Sequence, residues 1–98
     1  MVLHTLNRPP HSSLVLADCL RVITPPAALL LIEDGAYAAT RNNELLFQNL
    51  DSAIDCYVLQ ADIDARGLNP LLSPRFTVIS DSAFVTLTTQ CERIQSWY

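Results

Sequence analysis

The sequence predicts an α/β domain, a mostly parallel sheet with helices on both faces. Three observations carry that reading. Short β-type runs alternate with segments of helical periodicity along the whole chain. One of those runs, Ala27 to Ile32, is apolar at every position, as a strand covered on both faces should be. Finally, 98 residues, 50% apolar and 16% charged, suffice for one hydrophobic core and are too few for two.

Val2 to Leu6 is the first expected strand. Asn7-Arg8-Pro9-Pro10 closes it, because two prolines cannot continue a ladder. Ser12 or Ser13 can cap a helix running to about Ile23, with Leu16, Cys19, Leu20 and Ile23 as its inward stripe. Thr24-Pro25-Pro26 ends it. Ala27 to Ile32 is the second strand; its shortness between Pro-Pro and Asp34-Gly35 decides against a buried helix. Gly35 opens a small helix or turn through Ala39, and Glu44 to Leu50 is a further helical piece. Cys56 to Leu59 is the third strand. Ala61 to Arg66 is a short helix with Asp62 and Arg66 paired one turn apart, and Gly67 takes the left-handed position that closes it. Phe76 to Ile79 is the fourth strand. Ser80, Asp81 and Ser82 offer caps for a last helix whose inward stripe is Phe84, Leu87, Thr88 and Cys91. Ile94 to Tyr98 is a closing strand. Strand and helix alternating at this spacing imply right-handed crossovers and a small flavodoxin-like or Rossmann-like layered fold, residues 1–98 as a single domain.

Composition narrows the function. The formal charge is −4, and all six basic residues are arginines scattered along the chain. That excludes a nucleic-acid binder working by charge, since phosphates need a basic surface. The apolar content excludes a disordered tail. No basic cluster followed by a long apolar run marks the amino end, and six residues is the longest apolar run, against the ~20 a spanning helix needs. No membrane association is expected. Three cysteines, an odd number widely spaced, suit a reducing cytoplasm better than a stapled secreted domain. With few charges to cover a large surface, apolar area is expected to stay uncovered in the monomer, and such area usually marks an interface. Assembly with partners is the favoured reading over a small apolar protein that stands alone.

Open α/β sheets bind ligands beyond the carboxyl ends of their strands. Those loops hold Arg8, His11, Glu33, Asp34, Asp62 and Asp81. None carries a Gly-rich phosphate turn, so no nucleotide cofactor is expected. Asp34 and Asp81 read best as capping and dipole-pairing carboxylates. No Cys-x-x-Cys or His-x-x-x-His spacing occurs, and no metal is expected. Among the thiols, Cys19 lies mid-helix on the apolar stripe, Cys56 begins a strand, and Cys91 sits near a helix C-terminus, where the dipole opposes a thiolate. All three read as buried, inert thiols, with Cys19 the one kept as a site candidate. Trp97-Tyr98 either docks on the core or anchors an interface.

Four blocks stand out together. They are Leu3-His4-Thr5-Leu6 with the prolines that follow; Leu29 to Ala39; Tyr57-Val58-Leu59 with Asp62 to Leu68; and Asp81 with Phe84 to Thr88 leading to Ile94-Gln95-Ser96-Trp97. In this order and spacing they resemble the TusB/DsrH family over nearly the whole chain. Arg8-Pro9-Pro10 stands where that family usually has Ser before the proline. The resemblance implies a DsrE-like fold and a heterohexamer, TusBCD or DsrEFH, built with TusC/DsrF-type and TusD/DsrE-type subunits. It implies a persulfide relay from a TusA-type to a TusE/DsrC-type carrier, ending in 2-thiolation of the tRNA wobble uridine or, in the Dsr system, serving sulfur oxidation. The relay cysteine belongs to the TusD/DsrE-type subunit, so this chain is expected to be a non-catalytic subunit. Cys19 matches a first-helix cysteine of many members, and its participation in sulfur transfer is the alternative. A weaker third reading is a small-ligand module with its pocket near Asp34 and Asp81.

Overall fold

The computed structural model describes residues 1–98. Five strands, β1 (Val2–Leu6), β2 (Ala27–Leu31), β3 (Asp55–Leu59), β4 (Thr77–Ile79) and β5 (Arg93–Trp97), form one sheet in the order β4-β3-β2-β1-β5. Every pairing is parallel. Three α-helices join them: α1 (Val15–Val22), α2 (Gln60–Ala65) and α3 (Asp81–Gln90). Two 3-10 helices, Glu33–Ala39 and Arg41–Phe47, form the connection from β2 to β3.

Topology decides which face each helix covers. The chain steps from β1 to β4 in one direction across the sheet, and right-handed crossovers put α1, the 3-10 helices and α2 on one face. It then returns past three strands to lay β5 beside β1, so α3 lands on the opposite face. The core divides accordingly. Leu29, Leu31 and Val58 pack under Leu16, Cys19, Phe47 and Ile63 in the larger cluster. Leu3, Ala28 and Leu30 meet Leu87 of α3 in the smaller one. Leu29, Leu30 and Leu31 are all fully buried, as expected of a central strand covered on both faces, and each contributes about 2 kcal/mol of transfer free energy.

Several expected boundaries differ, each for a local reason. Helix α1 starts at Val15 with Leu14 in the capping position; Ser13 Oγ accepts from the Val15 amide at 3.1 Å, a tight serine turn just ahead of the helix. The two helical pieces after β2 are 3-10 helices. Gly35 is pressed against β1 there: a Cβ on it would lie 2.2 Å from the Leu6 carbonyl oxygen. Strand β2 stops at Leu31 and β4 begins at Thr77, each one residue short of expectation. Phe76 instead turns inward and meets Phe47 edge-on at 5.0 Å. Helix α2 runs Gln60–Ala65, with Arg66 and Gly67 closing it, Gly67 at φ 63°. Ser80 caps α3 by accepting from the Ala83 amide.

Candidate functional site

At the carboxyl ends of β1 and β2 the loops enclose a cleft of about 560 Å³. Pro9, Pro10, His11 and Ser12 come from the loop after β1; Tyr37, Thr40, Asn42 and Asn43 come from the 3-10 helices; Leu68 and Leu71 close it. Its wall is held by a local network. The Tyr37 carbonyl accepts from Thr40 Oγ1 and from Asn43 Nδ2, both at 3.0 Å, and Asn43 Nδ2 also reaches Thr40 Oγ1 at 3.1 Å. The cleft therefore offers hydroxyls, amides and apolar surface, and no thiol.

Two of the carboxylates singled out in the sequence, Asp34 and Asp62, gather around Arg66. Arg66 donates through Nε and a terminal nitrogen to Asp34 Oδ1, at 3.1 and 3.0 Å, and through its other terminal nitrogen to Asp62 Oδ1 at 3.3 Å. Asp62 spends its second oxygen on the Glu33 amide at 2.8 Å. Glu33 is the one non-glycine residue with positive φ, 51°. Asp62 thus pins an uncommon backbone conformation at the end of β2. Burial works against the Arg66 charge, yet the hydrogen bond to Asp34 and the charges of Asp34 and Asp62 outweigh it and raise its pKa. Asp81 lies apart, in the first turn of α3. No three His, Cys, Asp or Glu side chains converge where they could hold a metal ion.

The structure separates the three thiols, all of them free. Cys19 is fully buried under α1, and burial pushes its thiol up to about 12. Cys56 is buried at the start of β3, its thiol also raised by burial against the opposing pull of Arg75. Cys91 is half-buried after α3. None faces the cleft. At the carboxyl end the core-docking alternative holds for Trp97. Trp97 docks against the core and donates its indole N–H to His4 Nδ1 at 3.0 Å, while Tyr98 is exposed. Sequence reasoning missed the His4–Trp97 pair. The available signal was alternation, which places His4 on the same face as Leu6.

Next to the cleft, and sharing Pro10 with it, a narrow apolar groove runs between α1 and the second 3-10 helix, lined by Leu14, Leu16, Leu20 and Leu46. Leu14 is 78% exposed and Leu46, across the groove from it, 42%. Large aliphatic side chains standing in water at this density are the expected uncovered apolar surface.

A parallel five-stranded sheet with helices on both faces defines a small α/β module of the DsrE-like fold. Solved structures show the same fold. The crystal structure of the YchN protein from E. coli superposes with a TM-score of 0.76, covering 97% of each chain at 16% identity. The solution structure of Tm0979 from Thermotoga maritima gives 0.66 over 92% of this chain and 93% of that one, at 19% identity. The chain belongs to the TusB/DsrH family: the family profile described as DsrH like protein matches residues 8–94. Among similar proteins, Protein TusB of Salmonella arizonae is 37% identical over 98 residues, and Protein TusB of Pectobacterium parmentieri 33% over 96. Each alignment covers 98% of this chain and all of the relative.

Proposed function

We propose that this chain is a non-catalytic subunit of a cytoplasmic sulfur-relay complex that passes persulfide sulfur toward 2-thiolation of the tRNA wobble uridine. Membership of the TusB/DsrH family supports a sulfur-relay subunit. The partners are TusC/DsrF-type and TusD/DsrE-type subunits, and the complex meets TusA-type and TusE/DsrC-type carriers. The observation that carries the reading is the exposed aliphatic surface around Leu14 and Leu46, beside a rim that offers no activated thiol. Such a surface suits a chain whose work is to be covered by neighbours and to shape a site the neighbour's persulfide uses. Free cysteines agree with a reducing compartment, and no helix is long and apolar enough to cross a membrane.

Co-expression with the paralogous subunits tests this. The chain is expected to copurify with both, and Leu14→Glu combined with Leu46→Glu to lose them while remaining folded. A stable monomer that ignores both partners sinks the proposal. In the alternative, Cys19 takes part in sulfur transfer, as in a DsrH-type subunit of sulfur oxidation. That requires α1 to lift from the sheet. Intact mass after exposure to a persulfidated carrier decides: a Cys19→Ala chain that loads as the wild type does removes the alternative.

A further inference from the structure

We propose that His4 and Trp97 form an acid-sensitive latch: neutral His4 holds the C-terminal edge strand on the sheet, and protonated His4 releases it. The Trp97 indole donates to His4 Nδ1 at 3.0 Å, and the rings lie 6.2 Å apart and 25° from parallel. An indole N–H can only donate, so its acceptor is a bare Nδ1. That fixes the imidazole as neutral, with its proton on Nε2. A second proton must go on Nδ1, and the bond then becomes two N–H groups facing one another at a residue only 8% exposed.

Nothing nearby compensates that charge. Strands β1 and β2 carry no other titratable side chain. Strand β5 contributes Arg93, whose positive charge opposes protonation. Helix α1 contributes the buried Cys19 thiol and an Asp18–Arg21 ion pair closed on itself. The amino terminus is engaged with Glu92. Burial first, and Arg93 second, hold the imidazole below its ordinary 6.5.

Strand β5 is the element able to respond. It is an edge strand, paired with β1 alone, and four of its five residues are exposed. Its side-chain ties to β1 are the latch itself and a 3.4 Å contact between Thr5 and Ser96 hydroxyls. The latch stands whether or not the chain joins a relay complex.

Trp97 is the single tryptophan, so its emission reports the latch directly. On titration from about pH 8 to about pH 5, the emission is expected to shift red and acrylamide to quench it more strongly. The midpoint should fall below 6.5 while the helical circular-dichroism signal holds. His4→Gln keeps an acceptor for the indole and cannot titrate, so its emission should stay flat; His11→Gln should behave as wild type. In the wild-type chain, proton NMR should show the indole N–H resonance moving with the same midpoint as one imidazole. A transition retained in His4→Gln, one that coincides with loss of the helical signal, or an indole resonance that does not follow an imidazole overturns the latch.

Discussion

At the residue scale, environment decides chemistry, and Cys19 is the clearest case. Its thiol is buried among apolar neighbours with no cation to favour the thiolate, so its nucleophilicity is suppressed. Native-state alkylation followed by mass spectrometry should therefore modify Cys91 first, and Cys19 and Cys56 only in denaturant. Cys19→Ser should cost about 1–3 kcal/mol, because a hydroxyl takes the place of an apolar thiol in the core. The two glycines differ in kind. Gly35→Ala drives a methyl into the Leu6 carbonyl oxygen, backbone against backbone, and should lower stability by about 3 kcal/mol in urea titration. Gly67→Ala meets open space and suffers only its left-handed φ, about 1 kcal/mol. His4 sets a pH dependence whose sign follows from linkage. Its folded pKa is lowered, so below 6.5 the unfolded chain binds the proton first. The stability tied to neutral His4 is thus fully present above 6.5 and is lost as pH falls toward the folded value; urea midpoints should drop over that window in wild type and much less in His4→Gln.

At the element scale, single side chains join pieces distant in sequence. Asp62 ties α2 to the end of β2 through the Glu33 amide and Arg66, and its side chain is 19% exposed against 57% for Asp34. Asp62→Ala strands a backbone donor and a half-buried guanidinium and should cost about 1–3 kcal/mol. Asp34→Ala removes an outer, screened partner and should cost less than about 1 kcal/mol. Thermal melts of the two variants, with and without added salt, separate these effects. The same contrast explains what the sequence made legible. The strands could be read because alternation, continuous apolar runs and proline breaks are local signals, and so could the close of α2 at Gly67 and the cap of α3 at Ser80. The Asp62–Arg66 pair was legible as one helical turn. Asp34, joining it from 32 residues away, was not, nor was the positive φ of Glu33 it helps frame. The 3-10 character of Glu33–Phe47 escaped because it depends on Gly35 lying against β1, and the His4–Trp97 bond because it waits on β5 returning beside β1.

At the scale of the whole molecule, the sheet is covered unequally, and that predicts where the chain is firm. One face bears α1, the two 3-10 helices that follow β2, and α2; the other bears α3, of which only Leu87 is buried. Strand β2 is paired on both sides and buried at every residue, so its amides should exchange with solvent only through global unfolding. Strand β4, three residues long, and β5, paired with β1 alone, lie at the edges and should exchange through smaller openings. Hydrogen–deuterium exchange read by mass spectrometry on the isolated chain should return that ranking. The same measurement locates the partner surface. Binding that touches only the folded state slows global opening everywhere by mass action, but contact slows local exchange only where solvent is excluded. In the complex with the paralogous subunits, extra protection should therefore appear at residues 10–16 and 44–47, which flank the apolar groove, beyond the change seen in β2. Protection confined to β5 would instead make the open sheet edge the contact, and the exposed leucines would then be ordinary surface.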